Sequence, residues 1–100
     1  MAARRLAGRV ALITGGGSGI GRAAASLFAA HGASLGVVDI DTGAAKQTVE
    51  RIISGDGHAL AITADVSVNA EVEAAVHRVA TQFGRLDIVS TTLASIVWEA

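Results

Sequence analysis

Thr14-Gly15-Gly16-Gly17-Ser18-Gly19-Ile20-Gly21 follows the apolar run Val10-Ala11-Leu12-Ile13 and opens a stretch of helical periodicity. That context predicts a strand, a tight turn and a helix that together bind phosphate. Glycine serves such a turn by allowing positive φ, by letting the backbone approach a pyrophosphate with no Cβ in the way, and by letting the helix pack closely on the strand. The first helical turn then offers unpaired N–H groups and a positive dipole end to an anion.

The spacing narrows the kind of nucleotide loop. The commonest dinucleotide fingerprint is G-x-G-x-x-G, whereas Gly15, Gly19 and Gly21 give T-G-x-x-x-G-x-G. A P-loop fails because no G-K-[ST] follows the strand, and Arg22 comes after Gly21. The flanking strand and helix patterns disfavour a plain glycine-rich surface loop. With Leu6-Ala7-Gly8-Arg9-Val10-Ala11-Leu12-Ile13 leading in, the motif resembles the amino-terminal signature of the short-chain dehydrogenase/reductase family. The resemblance runs from Leu6 to Val89 and implies the cofactor-binding half of such an enzyme. It assigns Thr14, Gly15, Gly17, Ser18, Gly19, Ile20 and Gly21 to the dinucleotide-binding turn.

Composition agrees with one small domain. A chain of 100 residues buries about two thirds of its unfolded surface, enough for a single core. Apolar residues make up 51% of it with three aromatics, so that core is built from Ala, Val, Ile and Leu, as in a parallel sheet covered by helices. A net charge of −1 implies neither a nucleic-acid nor a membrane-surface partner. The absence of cysteine excludes disulfides, thiolate metal sites and a thiol nucleophile. No apolar stretch approaches membrane-spanning length, and the first apolar run is needed as a strand rather than as a cleaved signal, so the cytosol is the expected location.

Read by period, strands and helices alternate without linker, low-complexity segment or proline. Strands are predicted at Arg9–Thr14, Ser34–Asp39, His58–Ala64 and from Leu86 to Val89. The first helix, Gly19–His31, would bury Ile20, Ala24, Leu27 and Phe28 and stop at Gly32. Asp41 or Thr42 would cap the second, which buries Ala45, Val49, Ile52 and Ile53 and closes at Gly55 or Gly57. Ser67 would cap the third, with Val68, Val72, Ala75, Val76, Val79 and Phe83 inward and Gly84 as its end. Repeated strand-helix-strand units with short turns make an α/β, Rossmann-like parallel sheet of about four strands in the order 3-2-1-4 with three helices, an incomplete doubly wound fold. The ligand crevice then lies at the carboxyl ends of strands 1 and 4.

Asp39 ends the second strand eighteen residues after Gly21, close to the ~20-residue offset at which an acid accepts hydrogen bonds from an adenosine ribose. It argues for NAD over NADP, because a 2′-phosphate would face a carboxylate. NADP-using members of the family often carry a basic residue before the second motif glycine or after the acid; Ser18 and Ile40 stand there. The competing reading of Asp39 is a solvated strand-end carboxylate. Asp65-Val66 resembles the family's D-V pair, which implies an adenine contact; the alternative is that Asp65 merely shapes the turn before Ser67. Arg22 either approaches a phosphate or lies on the helix surface. His31, His58 and His77 lack metal-ligand spacing and read as structural.

The resemblance weakens after Phe83-Gly84-Arg85-Leu86-Asp87-Ile88-Val89, where the family continues with another apolar residue, such as Val, and then Asn-Asn-Ala-Gly, and this chain with Ser90-Thr91-Thr92-Leu93-Ala94. Loss of one base from GTC AAC AAC GCT GGC would give those five residues, so a shifted reading frame is one expectation, and a purposeful truncation another. The family's catalytic Ser and Tyr-x-x-x-Lys have no counterpart: the sequence holds no Tyr, and its one lysine is Lys46 in the second helix. The expectation is therefore a single truncated domain, residues 1–100, that binds NAD but is inactive alone. A non-enzymatic module that pairs with a full-length relative is the alternative. An S-adenosylmethionine-binding domain is disfavoured by the opening Thr14-Gly15. The unfinished sheet edge, with Ile96-Val97-Trp98 beside it, is expected to favour self-association.

Overall fold

The structure, a computed structural model, describes residues 4–90. The sequence features at residues 91–98, including Ile96-Val97-Trp98, lie outside the described residues. Seven elements follow in strict alternation: β1 (Val10–Thr14), α1 (Gly19–Ala30), β2 (Ser34–Asp39), α2 (Thr42–Ser54), β3 (His58–Thr63), α3 (Asn69–Phe83) and β4 (Ile88–Ser90). All strand pairs are parallel and the order is β3-β2-β1-β4, as the alternation predicts.

Side chains alternate along β1, and the alternation sorts the core into two layers. Ala11 and Ile13 join Leu35, Val37, Ala45, Val49 and Ile52 beneath α1 and α2. Val10 and Leu12 join Val38, Ile62, Ala75, Val79 and Leu86 beneath α3. β1 is buried at all five positions because it has a strand on each side and helices on both faces. Gly36 of β2 lets α3 settle close: a Cβ there would overlap the Cγ2 of fully buried Val79.

Several boundaries and faces differ from the sequence expectation. α1 turns Gly21 and Ala25 to the sheet, with Ala24 and Phe28 half-buried at the margin, while Ile20 and Leu27 are exposed. Small residues occupy the line of closest helix-to-sheet approach, so the buried stripe is rotated by about one residue from the one that bulk hydrophobicity suggests. In α2 the buried stripe is Ala45, Thr48, Val49 and Ile52, and Ile53 is exposed. Asp41 caps α2 as expected, accepting from the Ala44 N–H at 3.0 Å. Ser67 does not cap α3. The cap position is Val68, which has no side-chain acceptor, because the Ser67 hydroxyl is turned back to Asp65.

Candidate functional site

The turn after β1 lies at the carboxyl end of the sheet, beside the switch point where the chain passes from one neighbour of β1 to the other. Five hydrogen bonds fix the three peptides from Gly15–Gly16 to Gly17–Ser18. The Gly16 N–H donates to the Val38 carbonyl at 3.1 Å, and the Gly16 carbonyl accepts from the buried Thr48 hydroxyl at 2.9 Å. The Gly17 N–H donates to Asp39 Oδ2 at 2.9 Å. The Gly17 carbonyl accepts from Arg22 Nη2 at 2.6 Å and Nε at 3.1 Å. Arg22 thus neither reaches outward nor lies idle on the helix surface: it holds the turn.

Beyond Gly17 the turn opens. Ser18 is extended and makes no side-chain cap to α1, and the first backbone bond of the helix is Arg22 N–H to Ser18 carbonyl at 3.3 Å. The N–H groups of Gly19, Ile20 and Gly21 therefore lack an intrahelical acceptor, as at any helix start. Gly19 has φ +56°, and a Cβ built on it meets nothing within 4 Å. The space in front of Gly19 is open, which leaves room for an anion at the backbone N–H groups.

Asp39 lies at the end of β2, half-buried, with Oδ2 on Gly17 and Oδ1 accepting from the Asp41 N–H at 3.0 Å. Both oxygens are oriented by neutral backbone donors, and among the described residues no cation pairs with the carboxylate. Asp65 lies beyond the end of β3. Its Oδ1 accepts from the Ser67 hydroxyl at 2.6 Å and the Ser67 N–H at 2.9 Å, and these bonds hold its carboxyl below the usual carboxylate range. The Asp65 N–H in turn donates to Glu71 Oε1 at 2.9 Å. Asp65 does shape the turn before α3, and its Oδ2 has no partner among the described residues.

Exposed apolar side chains mark the same end: Ile20 is 80% exposed, Ile40 69% and Val66 42%. Thr14 is buried at the end of β1, its hydroxyl a long 3.5 Å from the Ser90 carbonyl of β4. The turn from Thr14 to Gly21, Asp39 with Ile40, and Asp65 with Val66 thus follow the ends of β1, β2 and β3 in turn. A cavity of about 170 Å³ between α1 and α2, lined by Ser26, Ala29, Arg51 and Gly57 among others, belongs to the opposite end of these helices and contains none of these residues.

A family model described as short chain dehydrogenase matches residues 9–96. The chain belongs to the short-chain dehydrogenase family. Among its relatives, zerumbone synthase of Zingiber zerumbet is 44% identical over 85 residues, which are 85% of this chain and 32% of that protein. A hydroxysteroid dehydrogenase from Escherichia coli superposes with a TM-score of 0.85 at 38% identity, over 88% of this chain and 37% of its own. A 3-ketoacyl-(acyl-carrier-protein) reductase from Brucella melitensis, complexed with NADH, gives a TM-score of 0.77 at 45% identity, over 84% of this chain and 33% of its own. This short-chain dehydrogenase chain spans about a third of the length of the curated relatives it matches.

Sequence reading gives Thr48 and Glu71 no site role, and offers Arg22 only an approach to phosphate or a place on the helix surface. Thr48 gave a usable signal, since it shares the i, i+3, i+4, i+7 stripe of Ala45, Val49 and Ile52 and a polar residue on a buried stripe needs a partner. For Arg22 and Glu71 the acceptors and donors are backbone groups of a turn, which no spacing rule names.

Proposed function

We propose that this chain is the NAD(H)-binding part of an oxidoreductase that transfers hydride between NAD and an alcohol or carbonyl substrate. The observation that carries the reading is Asp39: a carboxylate at the end of β2, oriented by the Gly17 and Asp41 N–H groups and paired with no cation among the described residues. Each of its oxygens keeps lone-pair capacity for a ribose hydroxyl, whereas a 2′-phosphate would bring a second anion against it. Thr14, Gly15, Gly17, Ser18, Gly19, Ile20 and Gly21 would hold the pyrophosphate end, Ile40 the ribose edge, and Asp65 with Val66 the adenine. When bound, NAD supplies the hydride acceptor. The chain's own residues bind and orient it; no Tyr is present to exchange a proton, and Lys46 is exposed on α2.

Calorimetric titration of the chain with NAD and with NADP tests this reading. Tighter binding of NAD, with the preference narrowed by Asp39→Ala, supports it; equal or tighter NADP binding by the unaltered chain overturns the role of Asp39. The same chain alone is expected to show no turnover with alcohols or carbonyls, because its sequence holds no Tyr to exchange a proton with the substrate oxygen as hydride moves.

One observation favours a second reading, pairing with another chain. Among the described residues β4 is an edge strand with three residues paired to β1 and its other side free, and such an edge accepts another strand. Whether the partner is a second copy or a full-length relative, an elution volume that falls as protein concentration rises or on mixing would reveal it.

A further inference from the structure

We propose that Thr48 of α2, seconded by Arg22 of α1, is a positioning residue that locks the glycine turn in its anion-accepting orientation; this rests on the dinucleotide reading above. The Gly16–Gly17 peptide is held at both ends, its carbonyl by the Thr48 hydroxyl and its N–H by Asp39 Oδ2. In a trans peptide those two groups point in opposite directions, so the unit cannot rotate without breaking both bonds. The next peptide has its carbonyl held by the Arg22 guanidinium, which turns the Ser18 N–H the other way, away from Arg22. Among the described residues that N–H has no partner.

The alternative orientation is the harmful one. With the Gly16–Gly17 peptide flipped, its carbonyl oxygen would meet the Asp39 carboxylate; with the Gly17–Ser18 peptide flipped, a carbonyl oxygen would replace the unpaired Ser18 N–H and repel an anion there. Thr48 suits the task because it is wholly buried, so water cannot replace it. Its oxygen also accepts from Arg22 Nε at 3.3 Å, which aims the hydroxyl proton at Gly16. The two clamps are therefore linked through one oxygen atom. Because Asp39 holds the same peptide from its other side, the ribose-facing acid and the phosphate-facing turn are set by a single rigid unit.

Two readouts on the full chain test this: hydrogen exchange of the Gly17 amide without ligand, and calorimetric titration with NAD. Thr48→Val keeps the shape and removes the hydroxyl. It is expected to speed Gly17 exchange and to weaken NAD binding, each about tenfold, the scale of one lost hydrogen bond. Thr48→Ser restores the donor and should return both to near the unaltered values. Unchanged exchange and affinity in Thr48→Val overturn the proposal, as does a Thr48→Ser chain that behaves like Thr48→Val, which would make Thr48 a packing residue. If Thr48→Val does not fold, Arg22→Met, which frees the Gly17 carbonyl from a half-buried position, supplies the same readouts with the same expected signs. Absence of NAD binding by the unaltered chain sinks the dinucleotide reading, and Gly17 exchange then decides the lock by itself.

Discussion

Asp39 and Asp87 both accept backbone N–H groups, at opposite ends of one sheet, and their surroundings differ in charge. Asp87 precedes β4 at the amino end, 4% exposed. Its Oδ2 takes the Val10 N–H at 2.9 Å, Arg85 binds both of its oxygens at 2.6–3.1 Å, and Arg9 stands 3.5 Å away. The Arg85 guanidinium and the Val10 N–H hold its carboxyl below the usual carboxylate range. Its own N–H returns to the Val10 carbonyl at 2.9 Å. Asp39 has the backbone donors without the cations. A neutralised and covered acid ties strands together; an oriented acid with its charge uncompensated is available to a neutral polyol. On the proposed reading the carboxyl end of the sheet receives the dinucleotide, and the amino end closes the sheet.

Asp87→Asn should separate the two ends most sharply. It weakens Arg85 pairing and exchanges an acceptor oxygen for an amide beside Val10, so the largest fall in thermal midpoint of this set is expected there. NAD affinity of the folded protein should change less than about twofold, as for distant, independent sites. A calorimetric scan and a titration read both; a large affinity loss at unchanged stability would reverse the assignment of the two ends.

Gly19→Val is the complementary probe. Its Cβ meets no protein atom, so the folded state bears mainly the strain of a branched residue at positive φ, about 1–3 kcal/mol. A side chain in the open space before the helix should remove anion contacts of about 2–3 kcal/mol, roughly a hundredfold in NAD affinity. Retained binding would move the pyrophosphate elsewhere.

Asp39→Ala should cost about tenfold in NAD affinity and much less in NADP affinity. An equal loss for both would mean that Asp39 acts by holding Gly17 rather than by meeting the ribose, and would sharpen the comparison in favour of the turn.

The smallest effect is on acid stability. Asp87 has its folded-state pKa lowered, so its contribution is complete above the ordinary carboxylate range and is lost as pH falls through the folded value. The stability difference between the unaltered chain and Asp87→Asn should therefore be constant near neutrality and shrink below about pH 4. Denaturant midpoints measured across that range check it. A difference that closes instead between pH 6 and 8 would point to a histidine.

Much of this was legible in the chain. Alternating strand and helix periods, with glycine stops at Gly32, Gly55 and Gly84, were enough for the order β3-β2-β1-β4, because right-handed parallel crossovers leave few topologies. Asp39 could be placed from its offset to Gly21. The stripe of α1 could not be read, since Ile20 and Leu27 outweigh Gly21 and Ala25 in hydrophobicity while closeness to the sheet favours the small pair. Ser67 looked like a cap because caps are recognised by residue type, and nothing in the local sequence shows that Asp65 takes its hydroxyl first. Periodicity places Thr48 on the buried stripe of α2 but cannot name its partner, the Gly16 carbonyl 32 residues away.

The central place of β1 also has a cost in time. Its partner β2 follows soon after it, but the Val10 N–H waits for a carboxylate 77 residues further on. At about 5–20 residues per second of synthesis, that interval is about 4–15 seconds. Throughout it the most apolar strand of the sheet has an open side, a template for any neighbouring chain. The growing polypeptide is thus most vulnerable to mispairing at the strand that will be most deeply enclosed when folding is done, and it is Asp87, arriving late with Arg85, that ends the exposure.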